Sequence, residues 1–287
     1  MMRLRFASGV AHARGRRIEG LRALIVALFA CAAVLSSMQP SLADPLAIAG
    51  VAGTVVTELL APLWSNHWTR LGMLFQERFD TELFAIPWNS NIGERPLDEA
   101  VVESARAFAG DSARLRNWYV DVSKLPRAYA VLLCQRENLV WDFRQRRAWA
   151  DWIAAGSAAW LSFGLVVALA TDWTVRDFFL RWLAPSLPLV VLSLRQAFTH
   201  RSIATAKQDA AGCVESLLSR APSGRPSRKR HADLLREARR LQDVIARERG
   251  RSERVPQFFY RMRREGEEAA AQTVASEIRA RLLAAGS

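Results

Sequence analysis

Four apolar runs constrain this chain more than any other feature: Ala23–Met38, Pro45–Trp64, Trp152–Ala170 and Phe178–Phe198. A helix rising ~1.5 Å per residue needs about 20 residues to cross a hydrocarbon core of ~30 Å. The second and third runs reach that length. The first is slightly short, and the fourth carries Arg181 and Arg195. Only short polar links, Gln39–Asp44 and Thr171–Asp177, separate the members of each pair, so the spacing predicts two helical hairpins. The rest of the chain is rich in charge, which is how 51% apolar and 24% charged residues coexist in one sequence.

Charge placement orients the hairpins. Six Arg lie in the first 22 residues, twelve basic residues in Ser65–Ala148 and nineteen in Thr199–Ser287, whereas the two links share one, Arg176. Basic residues collect on the cytoplasmic side of membrane proteins. Both termini and the long middle segment are therefore expected in the cytoplasm. The division expected is residues 1–64 as a basic start and first hairpin, 65–151 as a cytoplasmic helical segment, 152–198 as the second hairpin and 199–287 as a cytoplasmic helical tail. The competing reading takes the start as a signal peptide cut after Ala43. A second apolar run follows too closely for that to be preferred, and an uncleaved first span is expected.

The net charge of +12 points to an anionic partner such as lipid headgroups or a phosphate-bearing ligand. Cys31, Cys134 and Cys213 are far apart and odd in number, which argues against a disulfide framework. His12, His67, His200 and His231 show no metal-ligand spacing, and no metal site is expected. No nucleophile elbow, phosphate loop, dinucleotide fingerprint or zinc-protease motif occurs, so an enzyme is not expected. Cys134 beside Arg136 is the one nucleophile worth naming, and a buried structural cysteine is the preferred reading. The basic string Arg225–His231 reads as a solvated linker.

Within the runs, Glu58 and Arg181 stand out as candidate pore or span charges. Charges at mid-bilayer cost roughly 2.5–3.5 kcal/mol on insertion scales, so such residues face a partner or water. They lie toward opposite ends of their spans, so a direct pair is not expected; reaching to the nearest interface is. Pro185 and Pro188 predict a weakened or kinked fourth helix. Trp152, Trp160, Trp173 and Trp182 read mostly as an interfacial aromatic belt.

The charged segments read as helices. Leu71–Leu83 carries apolar residues at helical spacing, broken by "AIPWNSNIGERP". Leu97–Ala109 follows, and Tyr129–Trp149 feeds without a breaker into the third run. The fourth helix extends past its apolar run, "APSGRPSRKR" links onward, and Asp233–Glu248 and Glu265–Leu283 close the chain. No strand pattern appears. The fold class expected is all-α: an integral membrane protein with four transmembrane helices and a discontinuous cytoplasmic helical domain. Gln135, Asn138, Asp142 and Gln145 fall at offsets 0, 3, 7 and 10, one polar stripe of a helix. The stripe marks a coupling helix, and Arg144, Arg146 and Arg147 read as the collar of the third span.

Three blocks carry a family likeness: "FQERFDTELFAIPWN" (Phe75–Asn89), "NWYVDVSKLPRAYAVLLCQRENLVWDF" (Asn117–Phe143) and "RRLQDVIARERGRSERVPQFFYRMRREGEEA" (Arg239–Ala269). Their order and spacing around the apolar runs resemble the SMODS-associating four-transmembrane effector family. Matching positions are Phe79, Asp80, Pro87, Trp88, Asn89, Trp118, Tyr119, Cys134, Gln135, Arg136, Asn138, Trp141, Asp142, Gln242, Asp243 and Tyr260. The Arg- and Trp-rich stretch at 144–152 and the Ala-rich tail depart from the family pattern.

The resemblance implies a bacterial inner-membrane effector of cyclic-oligonucleotide anti-phage signalling, a pore former whose opening ends the host. The partners it implies are the lipid bilayer, a cyclic oligonucleotide and further copies of the chain as a homo-oligomer. No cofactor and no DNA partner are expected. Arg136 with Trp141, or Trp118 with Tyr119, supplies a candidate face for a stacked, anionic ligand. A membrane-anchored scaffold without conduction is the competing reading.

Overall fold

The computed structural model describes residues 1–110, 119, 121–220, 226–251 and 255–284, the side chains of 61, 264–272 and 284 aside. All regular structure among them is helical. In chain order the helices are α1 (Met2–Met38), α2 (Ala43–Val55), α3 (Ala61–Phe84), α4 (Asp98–Arg106), α5 (Arg127–Ala170), α6 (Val175–Phe178), α7 (Ala184–Ser219), α8 (Arg228–Gly250) and α9 (Gln257–Ala284). Four helical stretches are long and apolar enough to cross a membrane: Met2–Met38, Pro40–Phe84, Arg127–Ala170 and Val175–Ser219.

The chain divides into two units. One comprises Met1–His12, Thr69–Arg147 and Ser202–Ser287; the other comprises Ala13–Trp68 and Ala148–Arg201. All four span-capable stretches contribute residues to both.

The second unit holds the apolar runs. Leu28, Ile48, Val55, Leu63, Phe163 and Leu169 are all exposed, which suits a hydrocarbon surrounding rather than water. Two π turns interrupt its helices, Val56–Leu60 between α2 and α3 and Phe179–Leu183 before α7. The second resolves the proline problem. A proline clashes with the carbonyl four residues earlier, which for Pro185 is that of Arg181, inside the π turn. The wider turn leaves the stretch continuous, and Pro188 is carried inside α7.

Gly50 and Gly164 allow close approach within this unit. A Cβ on Gly50 would sit 2.2 Å from the Ala184 carbonyl oxygen, and one on Gly164 would sit 2.1 Å from the Trp182 indole nitrogen. Trp182 is 1% exposed and stacks on Trp160 with ring centroids 4.7 Å apart. Trp160 donates to the Ser186 hydroxyl at 3.0 Å. These two tryptophans therefore pack inside the unit, which corrects the belt reading for them. Trp152 is exposed. The link after α5 is closed by Asp172 at φ 51° and by a capping box in which the Thr174 and Asp177 side chains each accept from the other's backbone N–H.

The first unit packs α5, α7, α8 and α9 around Leu132, Leu133, Leu139, Val214, Leu241 and Ile278. On α8, Leu234, Ala238, Leu241, Ile245 and Ala246 keep one apolar face, as helical spacing requires. Two boundaries differ from expectation. Ser227 caps α8 by accepting from Arg230 N–H, so Arg228–Arg230 are helical rather than linker. α9 begins at Gln257, so the break before it is narrower than the sequence suggests. The basic start also belongs to α1: Leu4, Ala7 and Ala11, spaced three and four apart, are buried in the first unit.

Candidate functional site

The interior of the first unit is polar along one seam. Asp80 of α3 accepts from the Tyr119 hydroxyl at 2.9 Å, from Gln242 Nε2 at 3.2 Å and from Arg249 Nη1 at 2.5 Å. Glu77, one turn earlier and fully buried, accepts from Gln242 Nε2 at 2.7 Å and Arg239 Nη2 at 2.8 Å. Arg239 also donates to the Pro87 carbonyl at 2.9 Å and to Asp243. Asn89 donates to Asp243 at 3.0 Å, and its own side chain accepts from Asn91 N–H. Gln135 donates to the Ala238 carbonyl at 2.8 Å and to Gln242 Oε1 at 3.1 Å. The Arg5 guanidinium lies 5.0 Å from the centre of the Phe79 ring.

Burial and charge act against each other here. Burial pushes the Glu77 carboxyl up, with Gln242 and Arg239 opposing. Burial would lower Arg249, but Asp80 beside it outweighs that and holds it more firmly protonated than a free arginine. Burial and the Asp80 charge raise the Tyr119 hydroxyl well above its ordinary value, so Tyr119 is a donor at any physiological pH. Burial, with smaller help from Glu137 and Asp80, pushes the Cys134 thiol up to about 12. Cys134 is therefore an inert core thiol, and the lowering by Arg136 considered from sequence does not occur.

A second charged cluster ties α5 to α7. Asp142 accepts from Arg146 Nε at 2.8 Å and from Lys207 Nζ at 2.5 Å. Burial would raise Asp142, yet Arg146 and Lys207 hold it far below the carboxylate range. Lys207 is 1% exposed, and burial pulls it down to about 8 against the attraction of Asp142. Arg146 is 2% exposed. It is thus a core partner of Asp142 and not part of a collar, while Arg147 donates to Gln208 at 3.0 Å. Gln145 is buried and Asn138 half-buried.

Other sequence-selected residues fall elsewhere. Arg136 Nε donates to Glu215 at 2.6 Å. Trp141 meets Tyr260 edge-on at 5.5 Å between ring centroids. Arg136 and Trp141 thus have separate partners rather than one shared face. Trp88 donates to the Gly93 carbonyl at 3.0 Å. Trp118 lies outside the described residues. Sequence reasoning missed Glu77, Arg239, Arg249 and Lys207, and gave Arg146 a different role. A signal for two of them was present: Arg239, Gln242 and Arg249 lie at offsets 0, 3 and 10, the spacing that exposed the stripe on α5.

In the second unit Glu58 sits in the π turn at Val56–Leu60. Arg22 of α1 donates to one of its oxygens, and Arg195 Nε of α7 donates to the other at 3.0 Å. Arg22 also faces Glu19 at 3.5 Å. Glu58 is 13% exposed and Arg22 2%, so Glu58 does not reach for an interface as expected from sequence; two arginines come to it. Arg181 pairs with Asp177 at 2.8 Å and covers the Trp173 ring.

On the surface of the first unit, Pro126, Arg127, Pro226, Arg228 and His231 line a depression of about 500 Å³. Arg127 is anchored there by donating to the Phe84 and Ala85 carbonyls. Among the described residues no three His, Cys, Asp or Glu side chains gather as a metal-ligand group.

Four helical stretches long and apolar enough to cross a membrane define a multi-span membrane protein. The SMODS-associating 4TM effector domain matches residues 1–278, and the chain belongs to that family. It is similar to a probable CBASS effector molecule of Bacillus cereus (strain VD146), at 26% identity over 196 residues. That match covers 68% of this chain and 64% of the relative's length. No solved structure matches.

Proposed function

We propose that the chain is a membrane effector of bacterial anti-phage signalling that opens a path through the inner membrane when a cyclic oligonucleotide binds its first unit. Family membership and the likeness to a probable CBASS effector support the role. One observation carries the mechanism. Each span-capable stretch contributes both to the apolar unit and to the unit whose interior is the Asp80–Arg249–Gln242 seam. A ligand shifts such a bundle only if it binds one arrangement more tightly. The helices that contribute to both units are the proposed carriers of that bias.

The depression lined by Arg127, Arg228 and His231 offers two guanidinium groups and an imidazole to an anionic messenger. Opening then requires Glu58 to release Arg22 or Arg195, because those bonds tie three of the four spans together. Only 17–39% of each apolar stretch is buried within the chain. The remaining faces are available to lipid and to further copies, so we propose a homo-oligomer as the conducting form.

The test is expression in bacteria with a cyclic-oligonucleotide synthase while membrane potential and dye entry are followed. Depolarisation that requires both proteins is expected, and Arg228→Glu with His231→Glu should suppress it. Persistent polarisation across the common cyclic di- and trinucleotides would sink the pore reading and favour a non-conducting scaffold.

A further inference from the structure

The span begun by α1 carries a stripe that the function above does not use. Arg14, Arg17, Leu21, Leu24, Leu28 and Leu35 fall at offsets 0, 3, 7, 10, 14 and 21. At about 100° per residue they share an arc of roughly 80° around the helix. All six are exposed, and all belong to the second unit. A run of leucines on one helix face therefore ends, toward the start of the chain, in two guanidinium groups. Among the described residues no carboxylate pairs with Arg14 or Arg17, whereas Arg22, further along the same helix, has both Glu19 and Glu58.

Arg14 is held in place. Its guanidinium lies 4.6 Å from the centre of the Trp68 ring, and His67 meets that ring edge-on at 5.1 Å. Seating on a ring uses none of the five N–H donors. The pairs Arg14–Trp68 and Arg22–Glu58 run in opposite chain directions, so α1 and the Glu58–Trp68 stretch lie antiparallel, side by side. In that register Trp64 comes about level with Arg17. Trp64 is exposed, as are Leu59 and Leu63 before it. Both helices thus pass at one level from exposed leucine to the tryptophan and arginine that favour a membrane interface.

We propose that this stripe is a binding site for an anionic phospholipid, with the phosphate on Arg14 and Arg17 and an acyl chain along Leu21, Leu24 and Leu28. Guanidinium forks suit a phosphate diester, and basic residues at the end of a span attract anionic lipid. Arg17 precedes Leu21 by ~6 Å along the axis, so headgroup and chain contacts follow directly on one another. The unbroken leucine stripe is what selects a lipid over a free anion. The two arginines without carboxylate partners select an anionic headgroup over a zwitterionic one, which brings its own cation. The site gives lipid charge a hold on the helix that supplies Arg22 to Glu58.

The test uses the full chain in a neutral detergent, with phosphatidylglycerol, phosphatidylcholine or inorganic phosphate added. A ligand that binds only the folded chain raises its melting temperature. Phosphatidylglycerol should raise it, and neither phosphatidylcholine nor phosphate should match that rise. Arg14→Gln/Arg17→Gln should lose most of the rise, whereas Arg176→Gln, at an exposed arginine of α6, should keep it. An equal rise with both lipids, or a rise that survives in the double variant, overturns the proposal. Phosphate acting as well as the lipid means an ion site only and overturns it too. Should the double variant fail to fold, wild-type protein decides, with each lipid carrying a photoreactive group high on an acyl chain. Adducts should fall on Leu21 and Leu24, with more from phosphatidylglycerol than from phosphatidylcholine. Equal adducts from both overturn the proposal, as does their absence from both, the result expected if a second copy covers the stripe.

Discussion

At the scale of single residues, the chemistry is that of charges with no water to fall back on. Removing one partner of a buried pair leaves the other uncompensated, at about 3–5 kcal/mol. Asp80→Ala strips Arg249, Tyr119 and Gln242 of an acceptor at once. It should lower stability by about that amount, read as an earlier melting transition in detergent. Glu58→Gln removes the carboxylate that Arg22 and Arg195 share and leaves only the longer Arg22–Glu19 contact. Cells expressing it should leak in the absence of nucleotide, measured as depolarisation, whereas an equally quiet variant would remove Glu58 from any gating role. Cys134, with a thiol near 12, should resist iodoacetamide at pH 8 in the folded protein while exposed Cys213 reacts. Lys207 gives a pH signature. It loses its proton near pH 8 when folded and near 10.5 when unfolded, so across that window the unfolded chain binds more protons. Stability from this group therefore rises with pH between those values. Cys134 and Tyr119, both raised, act the opposite way at higher pH. Comparison with Lys207→Met isolates the effect: the wild type should gain in melting temperature relative to the variant as pH climbs through the window.

At the scale of elements, the four spans and the long α5 were legible because apolar length and the absence of breakers are local properties. The polar stripe Gln135–Gln145 was legible for the same reason, and the motif residues Asp80, Asn89, Tyr119, Gln135, Gln242 and Asp243 fall in one seam. What they face was not legible. Partners such as Glu77 with Arg239 are 162 positions apart, and only packing reveals them. Arg146 looked like a collar because it clusters in sequence with Arg144 and Arg147; those two are exposed, and helical rotation turns Arg146 toward Asp142. The π turns were illegible too, since a widened turn leaves no composition signature. Glycine in the third span is an element-level constraint. Gly164→Leu drives a side chain into Trp182 and should cost roughly 1–3 kcal/mol or more through overpacking. The expected readout is loss of the protected Trp182 fluorescence environment together with earlier melting; an unchanged spectrum would contradict the packing.

At the scale of the whole molecule, orientation is the property that charge placement dictates. Reporter fusions at residue 110, within 221–225 and at the C-terminus should all report the cytoplasm, and a fusion in Thr171–Asp177 should report the opposite side. A periplasmic tail would overturn that arrangement and with it any access of a cytoplasmic messenger. The widened turn at Val56–Leu60 has a genetic consequence. It accommodates one residue more than the regular ladder of hydrogen bonds requires. Losing a single codon there would restore that ladder and leave everything beyond it facing nearly as before, because five residues in the wide turn rotate the chain about as far as four in a regular one. An in-frame deletion, ordinarily ruinous inside a span, would here leave the helix whole and its remaining side chains facing as they do now.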